Sequence, residues 1–294
     1  MSEPISPTAT AQLGVLRQEI DRIDAEMHTL LIERSQIIDR LITVKSTQAS
    51  GSAFRPGREA AMMRAIAARH HGSLPLDTAE GIWRVIIATF TFLQAPFSVH
   101  ADVSSGDGPM RDSARFHFGF TVPYLPHPGA AAVIAAVAAS AGDVGIFRPD
   151  SGTSSGPWWE ALTGPGTPKI IARLPFIERR DHPAATPIFV VSKPLADAAV
   201  RETVLVAAHV ERWRRSAQTQ LAPLGAEVIG SAGLRDGLSV LIAMPGTTGL
   251  DVLQETLARA TGGRADLTEV GSHADRFRLP DAATRPDPAL APTA

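Results

Sequence analysis

The stretch from Leu13 to Ser46 constrains the fold more than any other. Its apolar residues Leu13, Leu16, Ile20, Ile23, Met27, Leu30, Ile37, Leu41 and Val44 follow a three/four alternation, the spacing of one face of a long amphipathic helix. Arg34 takes the place that this pattern reserves for a hydrophobe between Leu30 and Ile37. A guanidinium in such a seam is costly to bury unless an anion meets it. Lys45, eleven residues on, returns to within about 20° of the Arg34 direction, so two cations line one strip of an otherwise apolar face. Arg17 lies about 100° away and serves a different pocket, such as that of a symmetry mate. The helix would be about 50 Å long at ~1.5 Å per residue, which implies a partner helix from the same chain or another.

With 294 residues, the chain has room for two or three domains. A formal net charge of -2 and unexceptional charged content point to neither nucleic acid nor a membrane surface as partner. The absence of cysteine excludes disulfides, thiolate catalysis and cysteine-ligated metals. No apolar run is long enough for a membrane span, and the first dozen residues lack the pattern of a secretory leader, so a cytoplasmic location is expected.

Residues 1–12 read as a flexible Ser/Pro/Thr/Ala leader and Ser46 to Ser52 as a loop. Arg55 to Glu59 opens a second helix that reaches about His71. Asp77 and Glu80 have the spacing of a capping box for a third helix, which carries Ile82, Val85, Ile86, Thr89, Phe90, Leu93 and Gln94 until Pro96 stops it. The expected domain of three helices, 13–100, is an incomplete bundle suited to dimerisation. A linker is placed at 101–113 and an α/β region at 114–200. In that region Phe116, Phe118, Phe120 and Val122 alternate as a strand, 129–140 is helical, and 143–148, 169–177 and 186–192 are strands. From Thr203 to Val270 the order is βαββαβ, a ferredoxin-like unit placed at 201–275, and a disordered tail follows from 276 to 294.

Several of these residues form an ordered set. Leu-Arg-x-x-Ile-Asp-x-Ile-Asp from Leu16 to Asp24, Leu-Leu-Ile-Glu-Arg from Leu30 to Arg34, Lys45, Arg-Pro-Gly-Arg-Glu from Arg55 to Glu59, and Ile86 to Gln94 together resemble the all-helical, type II chorismate mutase family. The resemblance covers about a third of the chain and implies an interlocked helical dimer that rearranges chorismate to prephenate. The breaking ether oxygen gains negative charge in a cyclic transition state, so positioning and electrostatics suffice, with no nucleophile, proton transfer, metal or cofactor. By this resemblance Arg34, and Arg17 from the partner chain, pair with the two carboxylates. Lys45 and Gln94 donate to the ether oxygen, Glu59 accepts from the ring hydroxyl, and Arg58 holds loop and substrate. Arg55 stands where many relatives have an acidic residue, and Phe90 where a serine is usual.

The remainder resembles the bifunctional mutase and prephenate dehydratase architecture, whose last part is an amino-acid-sensing ACT domain. Asp143 to Pro149 resembles the strand before the dehydratase's Glu-Asn-Ser motif, and Thr186-Pro-Ile-Phe its catalytic Thr-Arg-Phe. Pro149-Asp150-Ser151 replaces the first motif and Pro187 the arginine, and the region is shorter than a two-lobed dehydratase. The expectation is an α+β multidomain chain: a dimeric chorismate mutase followed by a non-catalytic remnant and an ACT-like unit. Rival readings are a bifunctional mutase and dehydratase, a metabolite sensor without activity, and elimination of pyruvate from isochorismate. Taken alone, Trp158 and Trp159 read as core, Thr186 as an ordinary strand residue, and Glu59 as a first-turn acid that favours the helix dipole.

Overall fold

The computed structural model describes residues 7–45, 54–150, 156–194 and 200–279. The chain divides into two compact units at Ser50/Gly51.

The first unit is one helix, α1, Pro7–Lys45. It begins six residues earlier than the hydrophobic pattern, so the end of the expected leader is helical, with proline at the first position where its missing N–H costs nothing. Leu16, Ile20, Leu30 and Ile37 on its apolar stripe are each more than half exposed. The loop expected at Ser46 to Ser52 and the part of the expected tail beyond Leu279 fall outside the described residues, whereas the start of that tail, placed at 276, is ordered: Phe277–Arg278 pairs as a strand with Ile177–Glu178.

The second unit begins with α2 (Pro56–Arg69) and α3 (Leu76–Gln94). It continues through β1 (Val99–Asp102), α4 (Asp107–Phe118), β2 (Tyr124–His127), α5 (Ala130–Ala139) and β3 (Val144–Phe147). A 3-10 turn at Trp158–Leu162 precedes β4 (Lys169–Leu174), β5 (Ile177–Glu178) and β6 (Ile188–Ser192). Last come β7 (Thr203–Val210), α6 (Arg215–Leu221), β8 (Glu227–Leu234), β9 (Gly237–Pro245), α7 (Leu250–Thr261), β10 (Asp266–His273) and β11 (Phe277–Arg278).

One mixed sheet of nine strands, in the order β2-β1-β3-β6-β4-β10-β7-β9-β8, runs through this unit. Its last four strands are antiparallel neighbours in the order β10-β7-β9-β8, the arrangement of a ferredoxin-like βαββαβ unit. The seam with the rest of the sheet is the parallel pairing of β10 on β4 through Gly271 and Ile170. Alternate residues separate the faces. Phe147, Phe189, Ile170, Leu205 and Leu241 pack with α5 and the Trp158 turn, while Ile146, Val190 and Ala172 pack with α2, α3 and α4 on the other side. Trp158 and Trp159 are core residues, and Trp159 Nε1 donates to Ser239 Oγ of β9 at 2.7 Å, tying the two parts of the sheet together.

Several local expectations change. The segment 101–113 is no linker: it holds the end of β1 and the start of α4. Phe116 and Phe118 are helical, because Met110, Ala114 and Phe118 recur at intervals of four and are buried together, whereas Phe120 lies past the helix and is exposed. Gly119 ends α4 with a positive φ of 75°, a backbone conformation that glycine adopts without a Cβ penalty. The capping box of α3 does not form. Pro75 stands at the N-cap without a side-chain bond, and Glu80 is buried in an ion-paired cluster. Among the described residues no helix is long and apolar enough to cross a membrane.

Candidate functional site

On α1, Arg17 is exposed, Arg34 is half-buried, and Lys45 is the last helical residue. On α2, Arg58 is exposed and Glu59 is buried. Arg84 Nη1 of α3 donates to Glu59 Oε2 at 2.7 Å, both side chains being almost fully enclosed. Arg84 Nη2 donates in turn to the carbonyl of His117, and its guanidinium carbon lies 5.5 Å from the Phe176 ring centroid. Burial pushes the Glu59 carboxyl above the usual range, against the opposing pull of Arg84. Gln94, at the end of α3, donates from Nε2 to the Phe90 carbonyl at 2.9 Å. Within α2 and α3, therefore, Arg58, Glu59 and Gln94 do not share partners: one faces solvent, one is committed to Arg84, and one to its own helix.

Arg84 is the residue that the sequence reading missed. The buried stripe of α3 is Leu76, Glu80, Arg84, Ile87, Ala88 and Thr91, whereas Ile82, Val85 and Leu93 of the expected apolar face are exposed. A spacing of four connects Leu76, Glu80 and Arg84, and two of the three are charged. Such a stripe is legible only when the partners are known. Beside it, His182 Nε2 lies 3.3 Å from Glu80 Oε1, Arg179 Nη2 lies 3.6 Å from Glu80 Oε2, and the His117 and His182 rings stack at 6.1 Å.

A second polar chain crosses the parallel strands. His100 Nε2 is 3.0 Å from Asp143 Oδ2, and His100 Nδ1 is 2.8 Å from His127 Nε2. With Asp143 accepting from Nε2–H, Nδ1 of His100 is left to accept from His127. Near the carboxyl end of β1, a cavity of about 430 Å³ is lined by Asp102, Ser104, the residues opening α5, and Trp158. Thr186, next to β6, is absent from its lining.

Two enclosed histidines make stability depend on pH. Burial holds His117 well below the ordinary imidazole range, with the charges of Arg84 and His182 adding to the effect. His273, at the end of β10, is lowered to about 4, mainly by burial. In the interval between that value and the unfolded pKa, the unfolded chain binds more protons. Stability is accordingly complete above the unfolded pKa and falls on acidification. For His273 alone the expected loss between about pH 7 and pH 5 is about 2 kcal/mol. Glu59 acts in the opposite sense, so the comparison is between parent and His273→Gln: urea unfolding at the two pH values should show a smaller difference in the variant. Equal differences would contradict the assignment.

Comparison with known proteins bears on the N-terminal part. Residues 16–95 match the family model described as chorismate mutase type II. The chain is 32% identical over 112 residues, 38% of its own length, to a bifunctional chorismate mutase/prephenate dehydratase from Neisseria gonorrhoeae, and spans 30% of that relative. Among solved structures, a prephenate dehydratase from Streptococcus mutans aligns with a TM-score of 0.41 at 14% identity, covering 62% of this chain and 100% of that one.

Proposed function

We propose that the protein is a dimeric chorismate mutase carrying a non-catalytic C-terminal module. The match of residues 16–95 to the type II mutase model carries this reading, because it spans the same residues from which the cationic set was read. Arg34 of one chain and Arg17 of the other hold the two carboxylates of chorismate through bidentate pairs. Lys45 and Gln94 stabilise the negative charge that develops on the ether oxygen, and Arg58 closes over the substrate. Glu59 receives the ring hydroxyl only if its carboxylate shares that role with Arg84, and Gln94 must release the Phe90 carbonyl.

The dimer is supported by surface that one chain leaves bare. The α1 stripe and Ile82, Val85 and Leu93 of α3 are apolar and exposed, and apolar area of this kind is favourably buried against a second copy. The absence of Glu-Asn-Ser after β3, and of arginine at Pro187, supports a module without dehydratase activity. The βαββαβ unit fits an ACT-like sensing role, and the cytoplasm is the setting in which such an enzyme would meet chorismate.

Adding purified protein to chorismate and following its absorbance tests the reading. Turnover to prephenate, with phenylpyruvate appearing only after acid treatment, is the expected result. Phenylpyruvate formed at neutral pH would establish the bifunctional alternative suggested by the name of the Neisseria relative. No turnover would reject the mutase. Light scattering should give twice the 31.1 kDa mass of one chain, and a monomer would remove the partner's Arg17 from the site.

A further inference from the structure

A cavity of about 310 Å³ opens where the ferredoxin-like unit meets the rest of the sheet, at the carboxyl ends of the parallel neighbours β4 and β10. Arg173, Glu178, Thr203, His273, Asp275, Arg276 and Arg278 line it. Arg276 Nη2 and Arg278 Nε both reach the carboxylate of Glu178, at 2.9 Å each. Asp275 is held by Thr203, whose hydroxyl donates to Oδ1. Three guanidiniums therefore face two carboxylates, leaving the cavity one positive charge in excess.

Arg173 supplies that excess. It forms no ion pair among the described residues, and its Nε is buried without an acceptor. Its guanidinium carbon stands 5.9 Å from the ring centroid of Phe189, which holds the fork in place. His273 is 3% exposed, and its Nε2 is likewise buried without a partner. Its other nitrogen, Nδ1, is 2.9 Å from the Ala274 carbonyl and donates there, so Nε2 carries the lone pair and accepts. Burial, with Arg173 and Arg276 nearby, keeps this imidazole neutral at ordinary pH.

A half-buried cationic fork whose Nε lacks an acceptor, beside a buried acceptor, both lining one polar cavity, asks for a ligand that brings an anion and a donor on one small frame. We propose that this cavity binds a small hydroxycarboxylate, its carboxylate paired with Arg173 and its hydroxyl donating to Nε2 of His273. Such a ligand touches β4 on one side of the seam and β10 on the other, so it stabilises the junction between the ferredoxin-like unit and the rest of the sheet. This assignment stands independently of the mutase reading, because none of its residues belongs to the cationic set of the first 100 residues.

Calorimetric titration of the full chain with L-lactate, propionate and inorganic phosphate tests it. Lactate should bind saturably, and propionate, which lacks the hydroxyl, several-fold more weakly. Arg173→Gln should weaken lactate at least tenfold. Arg173→Lys, the second variant should the first not fold, should weaken it at least threefold, because an ammonium keeps the charge and loses the fork. Arg201→Gln, whose parent residue pairs with Glu269 outside the cavity, should leave lactate binding unchanged. Absence of saturable lactate binding, unchanged affinity in the Arg173 variants, equal binding of propionate, or saturation by phosphate alone would each overturn the proposal.

Discussion

Replacing Arg84 by alanine should destabilise the protein by about 3–5 kcal/mol, the usual cost of leaving one partner of a buried ion pair without the other. The geometry places Arg84 at this upper end. It is 1% exposed, donates to Glu59 and to the His117 carbonyl, and packs against Phe176. The substitution would strand the Glu59 carboxylate in an apolar setting without its guanidinium, and would free the His117 carbonyl of its donor. Glu59 must then take up a proton, so the loss should shrink on acidification as that proton becomes available. Since a domain holds only about 5–15 kcal/mol in total, the variant should unfold at far lower urea. A double variant, Arg84→Met with Glu59→Leu, should recover much of the loss, because two apolar side chains need no partners. A single-variant loss below about 1 kcal/mol would mean that water reaches the pair, as it does for exposed ion pairs.

This same pair marks where sequence reading stopped. The order of apolar segments and the Gly-bounded turn between them carried the C-terminal unit almost intact: β7 spans Thr203–Val210 as expected, and β8, β9 and α7 fall within a few residues. β7 and β9 are buried on both faces, Leu205 and Leu241 in one core and Val206 and Ile242 in the other, so each reads as a near-continuous apolar run bounded by turn formers. β1 has only four residues, all buried, so it offers no period, and the polar turn formers after it conceal α4. In α3 the hydrophobic stripe visible in the sequence, with Ile82, Val85 and Leu93, is not the face that is buried. That face includes Glu80 and Arg84, whose burial depends on Glu59, Arg179 and His182 from elsewhere in the chain. Long-range charge pairing has no local signature. The cationic set of the first 100 residues was legible for the opposite reason: its order and spacing along the chain resemble one family, and residues 16–95 match that family's model.

Lys45→Ala should reduce chorismate turnover at least about a hundredfold, the scale at which removal of one preorganised donor to a developing oxyanion lowers a rate. The expectation follows from the reaction rather than from packing. A rearrangement through a cyclic transition state gives the protein no bond to make and no proton to move, so charge placed at the ether oxygen is the main means of lowering the barrier. On the proposed assignment, an ammonium that interacts with the oxygen more strongly as it becomes negative acts on kcat, whereas Arg34 and Arg17, assigned to carboxylates present in ground and transition states alike, act largely on KM. Lys45→Ala should therefore lower kcat with KM changed less, and Arg34→Ala should show the reverse balance. Lys45 ends α1, so its truncation removes no helix interior and should leave thermal unfolding nearly unchanged. Lys45→Gln, which keeps a donor and loses the charge, should fall between parent and alanine variant. Near-native turnover by the alanine variant would remove Lys45 from the reaction and leave the cationic strip of α1 with a binding role alone.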